Sequence, residues 1–206
     1  MDQRELNRIM ELFQQMDYTA ALAVQQGNLD DAALAYEQLI SLQQSMGLTV
    51  EAARNSINLS NVRALQGDFR QALELTDGAL AQFRQGGSVQ DVLVAGQVRC
   101  RLLCALKQST TALREAEQLL QRCKTDRQRG EVSLTLTDCC VQAGQRMKAR
   151  NAVDRAVRWM EACGEREGLI CALRARVALF ESWNQAAAAA ADRARLRVLE
   201  SEANHV

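Results

Sequence analysis

Residues 66–73 read Gln66-Gly67-Asp68-Phe69-Arg70-Gln71-Ala72-Leu73, and forty residues earlier Gln26-Gly27-Asn28-Leu29-Asp30-Asp31-Ala32-Ala33 follows the same plan. Each block is a glycine, a short polar side chain, then a helical run with Ala five residues after the glycine. A degenerate copy at Lys107 and Ala112 keeps the frame, and Gly144 with Ala149 follows 37 residues later. A helical unit returning at this interval means stacked hairpins in which each pair buries its apolar face against the next.

The frame can be written out from starts at Phe13, Ala53, Leu93, Gly130 and Ile170. Position 15 is then the turn inside each hairpin: Gly27, Gly67, Lys107, Gly144 and Asn184. Position 20 is Ala32, Ala72, Ala112, Ala149 and Ala189, a slot where two helix backbones come close. Position 27 is Leu39, Ala79, Leu119, Ala156 and Leu196, and position 35, the turn between hairpins, is Gly47, Gly87, Arg127 and Gly164. Glycine at a helix end supplies the left-handed conformation that closes the last turn.

This frame predicts ten helices, over 2–26, 29–46, 49–66, 69–85, 88–107, 109–123, 126–143, 146–163, 166–183 and 186–203. Asn28, Asp68 and Ser109 are expected to cap second helices of their hairpins, with Gln71 completing a box on Asp68. Thr49, Ser88 and Thr125 are expected to open the following first helices, Thr125 with Gln128. Leu6, Ile9, Met10, Phe13 and Met16 form an apolar stripe on the first helix. The run Ala186 to Ala191 is read as helix because Ala is the best helix former, with the chain fraying after Glu202.

Composition agrees with an all-α chain: 206 residues without proline, 4% aromatic. Net charge is zero, which removes a global pull toward nucleic acid or anionic membrane. The charge is uneven, however. Residues 1–90 hold 11 acids and 6 bases, residues 91–206 hold 14 acids and 19 bases. The seven cysteines include no C-x-x-C spacing, the N-terminus lacks an apolar leader, and no stretch reaches the roughly 20 apolar residues a bilayer needs. A cytoplasmic protein with reduced thiols is the expectation.

The segments 47–52, 58–61 and 66–73, together with 25–36, resemble the tetratricopeptide repeat. The family pattern has a small residue at position 8, Gly at 15, an aromatic or Leu at 17, Ala at 20, an aromatic at 24 and Ala at 27. The first repeat supplies Ala20, Gly27, Leu29, Ala32, Tyr36 and Leu39, and the second Ser60, Gly67, Phe69, Ala72, Thr76 and Ala79. The resemblance is closest over 13–87 and weakest over 93–127 and 170–203. The unit departs from the usual one of about 34 residues ending in Pro. The longer form is similar to repeats of signalling adaptors and of bacterial peptide-sensing or transcription-regulating proteins.

The resemblance implies one repeat domain, 1–206, forming a right-handed superhelical α-solenoid of about five antiparallel hairpins (2–47, 48–87, 88–125, 126–164 and 165–203). It implies a scaffold binding a peptide or protein segment in a concave groove. The alternatives are a peptide-sensing regulator acting through another protein and a self-assembling oligomer. Concave positions of the family fall on Asp17, Arg54, Asn61, Gln97, Arg101, Glu131, Asp138 and Arg174. Asn61 matches a ligand-binding Asn of family members. A clamp for a terminal carboxylate is excluded, because Asp17, Ala21, Val94 and Val98 stand where it needs Lys, Asn and bases.

Other motifs read as structure. Cys100 (position 8) and Cys140 (position 11) fall in small core slots, so these two cysteines, and with them their neighbours Cys104 and Cys139, are expected to pack as small apolar residues. The single histidine, His205, is one residue from the end, poor placement for a catalytic base or a metal ligand. Arg146, Lys148, Arg150, Arg155 and Arg158 crowd one helix without the interleaved aromatics of a single-strand binder, apart from Trp159. Trp159 and Trp183 are expected to plug gaps between late helices. No enzyme activity, cofactor or metal is expected, and no membrane or nucleic-acid partner.

Overall fold

The computed structural model describes residues 3–203. His205 lies outside them, as does the side chain of Leu6. The described residues form ten helices and no strand: α1 (Gln3–Gln25), α2 (Leu29–Ser45), α3 (Thr49–Leu65), α4 (Phe69–Gly86), α5 (Val89–Ala105), α6 (Ser109–Arg122), α7 (Asp126–Gln142), α8 (Arg146–Cys163), α9 (Arg166–Ser182) and α10 (Ala186–Ala203). Every expected helix is present within two residues at each end. The Ala-rich run opens α10 as expected.

The chain divides into two compact units, residues 1–106 and 107–206. In unit 1, each helix from α1 to α5 packs on its chain neighbour, and α3 also touches α5. The first helices α1, α3 and α5 therefore make one layer and α2 and α4 the other. In unit 2 the order α6–α7–α8–α9–α10 repeats this, with α7 touching α9.

The position-20 alanines explain how the layers approach. Ala32, Ala72, Ala112, Ala149 and Ala189 are all 0% exposed. A longer side chain there would overpack the helix crossing, which costs typically 1–3 kcal/mol. Larger apolar residues fill the space around them. Ile57, Leu80, Phe83, Val98 and Leu102 form one core across α3, α4 and α5. Val157, Met160, Leu169, Leu173 and Leu196 form another across α8, α9 and α10. On α1, Phe13 is buried, Ile9 and Met16 are half-buried, and Met10 is exposed.

The helix ends sort the expected caps. Asp68 accepts a hydrogen bond from the Gln71 N–H. Ser88 with Asp91, and Thr125 with Gln128, form reciprocal capping boxes. Asn28 stands at the N-cap of α2 without a side-chain bond. Two expectations are corrected: Thr49 and Ser109 are the first helical residues, and Leu48 and Gln108 occupy the cap positions. Their backbones already turn helical one residue early, so neither hydroxyl meets the cap geometry.

The turns follow the frame with two exceptions, Gly87 and Arg127; Arg127, expected at a turn, is the second residue of α7 because Thr125 caps that helix two residues earlier. Gly27, Gly47, Gly67, Gly144 and Gly164 have φ between 69° and 87°. Lys107 and Asn184 take the same left-handed conformation with φ of 64° and 57°. Gly87 does not; it is extended, with φ −82° and ψ 168°. Its need is space, since a Cβ there would sit 2.7 Å from the Phe83 Cα.

Candidate functional site

Between α1 and α3, on the first-helix side of unit 1, runs a groove of about 390 Å³. Helical spacing puts Phe13, Gln14 and Asp17 of α1 on one wall and Glu51, Arg54, Asn55 and Asn58 of α3 on the other. Leu39 and Gln43 reach its floor from α2, and Leu48 closes one end. The groove thus joins an apolar strip to a row of amides and carboxylates.

The amides are wired together. Asn58 Nδ2 donates to Asn55 Oδ1 at 3.3 Å, and Asn55 Nδ2 donates to Gln43 Oε1 at 3.0 Å. Asn55 and Gln43 are buried, so this chain fixes the orientation of the half-buried Asn58 at the groove surface. Such an amide offers both a donor and an acceptor to a peptide backbone.

Arg54 adds less positive charge than its type suggests. Its Nε and Nη2 donate to the two carboxylate oxygens of Asp91 at 2.8 and 3.1 Å. Asp91 is also the partner of Ser88 in the α5 capping box. The Arg54 guanidinium holds the Asp91 carboxyl down at about 2, against the opposing effect of burial and with help from Ser88. With Arg54 neutralised, Asp17 and Glu51 leave this groove negative. Burial, and secondarily Asp17, push the nearby Tyr36 phenol above its usual range.

The remaining expected site residues scatter in kind. Asn61 and Arg101 are exposed on α3 and α5. Gln97 is buried within α5 rather than on its surface. On α7, Asp138 is exposed, and Glu131 accepts from Arg127 Nε at 3.0 Å. Arg174 is paired with Glu200 of α10, Nη2 to Oε1 at 2.7 Å. The groove therefore brings Asp17 and Arg54 together and adds Asn55, Asn58 and Glu51, which the family positions passed over. The signal for Asn58 was present in part: Asn55 and Asn58 stand three residues apart on one helix face.

Cys100, Cys104, Cys139 and Cys140 behave as core residues, as expected. Cys100, Cys104, Cys123, Cys139 and Cys140 are buried, whereas Cys163 and Cys171 are exposed. Burial pushes the thiols of Cys123 and Cys140 up to about 11, away from the reactive thiolate form. Among the described residues no three His, Cys, Asp or Glu side chains converge where a metal ion could sit. No described helix is long and apolar enough to cross a membrane.

No family model matches the sequence, and no curated protein sequence does. Solved structures do resemble it. Aspartyl phosphate phosphatase F from Bacillus subtilis is 13% identical with a TM-score of 0.80, covering 99% of this chain and 54% of that one. A Rap protein complexed with Competence and Sporulation Factor is 13% identical with a TM-score of 0.70, covering 91% of this chain and 53% of the other. A kinesin light chain-like protein from Podosopora anserina with nearly identical TPR-like repeats is 15% identical, TM-score 0.69, covering 94% of this chain and 96% of that one. This chain spans about half the length of the first two. The fold is that of the tetratricopeptide-type helical-repeat proteins.

Proposed function

We propose that this chain is a protein-interaction module and that the α1–α3 groove of unit 1 seats a peptide or protein segment. The observation that carries the reading is the fixed amide row Gln43–Asn55–Asn58 beside the apolar strip of Met10, Phe13 and Leu48. Preorganised amides accept a peptide backbone with little ordering cost, and the strip takes an apolar side chain. The carboxylates of Asp17 and Glu51 favour a segment carrying a basic residue or a free amino terminus. A structure of the same fold complexed with a factor supports a binding role. A regulatory function would use the same groove and pass its output to another protein.

A peptide array tests the assignment. Peptides selected by the wild-type chain should be enriched in Lys or Arg next to an aliphatic residue. Asp17→Lys and Asn58→Leu should each weaken them about tenfold or more, since each removes or reverses a charge-assisted or buried polar contact. Gln82→Ala, on the second-helix side of the same unit, should leave them unchanged. Equal binding by Asp17→Lys, or equal loss in Gln82→Ala, rejects the groove.

Self-assembly has its own observation. On α1, Tyr18 and Leu22, one turn apart on the same face, are 70% and 37% exposed and form an apolar pair open to a second copy. Sedimentation over a range of protein concentrations separates the two readings: a dimer dispersed by Tyr18→Glu supports assembly, and a single monomeric species rejects it.

A further inference from the structure

Unit 2 has a groove of about 970 Å³ on its second-helix side, between α6 and α8. Lys148, Asn151, Arg155 and Arg158 line it from α8. Their spacing of three, four and three residues makes a single straight stripe on that helix. At 1.5 Å per residue the stripe is about 15 Å long. Leu120, Leu136 and Cys140 form an apolar floor, and Glu117 of α6 stands opposite.

The basic residues crowded on α8 are sorted by the structure into two groups. Arg146 stacks over the Trp183 ring at 4.7 Å, and Arg150 over Phe180 at 5.6 Å. These two serve packing against α9 and its end. Arg155 differs: its Nε is buried without a hydrogen-bond partner. The other arginines with a buried unpartnered Nε have their terminal nitrogens engaged, Arg63 on Gln66 and Glu37, Arg166 on the Leu199 carbonyl. Among the described residues Arg158 bonds only within its own helix, Nε to the Asp154 carbonyl at 3.3 Å. Lys148 reaches Glu117 at 3.4 Å, a long pair exposed on both sides and worth little.

We infer that this groove binds an extended acidic segment of a partner protein. A segment of about four to five extended residues spans the stripe at ~3.3 Å per residue. Its carboxylates would pair with Arg155 and Arg158 and displace Glu117 from Lys148. The Leu120–Leu136–Cys140 floor accepts the aliphatic side chains between them. Glu117 acts as an internal stand-in for the ligand. A nucleic-acid strand fits the groove less well. Its rings would find no aromatic side chain among the lining residues to stack on, with Trp159 already under Arg129 at 5.2 Å and Trp183 under Arg146. The site is separate from the unit 1 groove, and neither reading depends on the other.

Fluorescence anisotropy with a labelled octapeptide of alternating Glu and Ala tests this on the full chain. The wild type should bind it and ignore the Lys–Ala counterpart, and affinity should fall as salt rises. Arg155→Gln with Arg158→Gln should weaken binding about tenfold or more. Glu117→Gln should tighten it about two- to fivefold by freeing Lys148, a gain that loss of folding cannot mimic. Several outcomes overturn the proposal. They are equal binding of the Lys–Ala peptide, no change in the double variant, no gain in Glu117→Gln, and tighter capture of a single-stranded oligonucleotide. Self-association abolished by the double variant would also overturn it, by making a second copy the occupant.

Discussion

At repeat positions 7 and 23 the second repeat has Leu59 and Leu75, and the fifth has Arg176 and Asp192. In unit 1 the two leucines belong to an apolar cluster with Tyr36 and Val62. In unit 2, Arg176 Nε and Nη2 each donate to an oxygen of Asp192 at 2.7 Å, and Nη1 donates to Asp154 at 3.1 Å. Asp192 is 6% exposed. One slot in one fold is thus closed either by dispersion and apolar burial or by a largely buried ion pair. The two differ in how they fail. A leucine pair loses contact energy in steps, whereas a buried ion pair that loses one member leaves the other charge uncompensated.

The same division runs through the grooves. On the second-helix side of unit 1 the α2–α4 groove is lined by Ala52, Ser56, Gly78, Gln71 and Gln82, with Glu74 as its charge. In unit 2 the α6–α8 groove carries Lys148, Arg155 and Arg158. Shared helix geometry fixes where a groove runs, and the side chains on its walls decide what it attracts.

The largest expected effect breaks the fifth-repeat pair. Asp192→Ala should lower the unfolding free energy by about 3–5 kcal/mol in urea denaturation, because Arg176 stays behind without its main counter-charge. Replacing both partners by leucine, as in the second repeat, should restore stability to wild type or exceed it by about 1–4 kcal/mol. A double variant as unstable as the single one would mean that the slot in unit 2 does not tolerate an apolar pair.

A smaller effect belongs to unit 1. Asp91 is held down at about 2, largely by Arg54, against an ordinary 3.8. A lowered carboxylate contributes stability that is present above its unfolded value and is lost as pH falls toward the folded one. The contribution is about 1–2 kcal/mol, allowing for solvent around the half-exposed Arg54. Denaturation between pH 4 and pH 2 should show that loss. Asp91→Asn should be less stable at neutral pH and lose less across the same window.

The smallest effect sharpens the contrast in turns. The left-handed turn residues of unit 1, Gly27, Gly47 and Gly67, are all glycine, whereas unit 2 uses Lys107 and Asn184 beside Gly144 and Gly164. Lys107→Gly should raise the melting temperature by the equivalent of up to about 1 kcal/mol, since a lysine Cβ is strained at positive φ. Asn184→Gly should gain less, because asparagine tolerates that conformation.

Legibility in the sequence followed the range of the interaction. Ser88 as a helix opener and the Thr125–Gln128 box were readable because a cap and its partner are three residues apart. The role of Arg54 was not, because Asp91 lies 37 residues away. The basic crowding on α8 was visible as composition. Its sorting was not, since that depends on Trp183 and Phe180 of the next hairpin. Asn58 was missed because the family frame directs attention to neighbouring positions of the same helix.

The sequence by itself determined the ten helices, their turns and the alanine slots, because helix hydrogen bonds, caps and left-handed turns act within about four residues and repeat with the frame. Only the tertiary structure decided which charges are spent and which remain. Arg54 and Arg176 are committed to carboxylates, while Arg155 keeps a buried unpartnered nitrogen. The physical reason is that an ion pair depends on a separation of a few ångströms between side chains on different helices, a distance set by how the helices cross and carried by no local pattern.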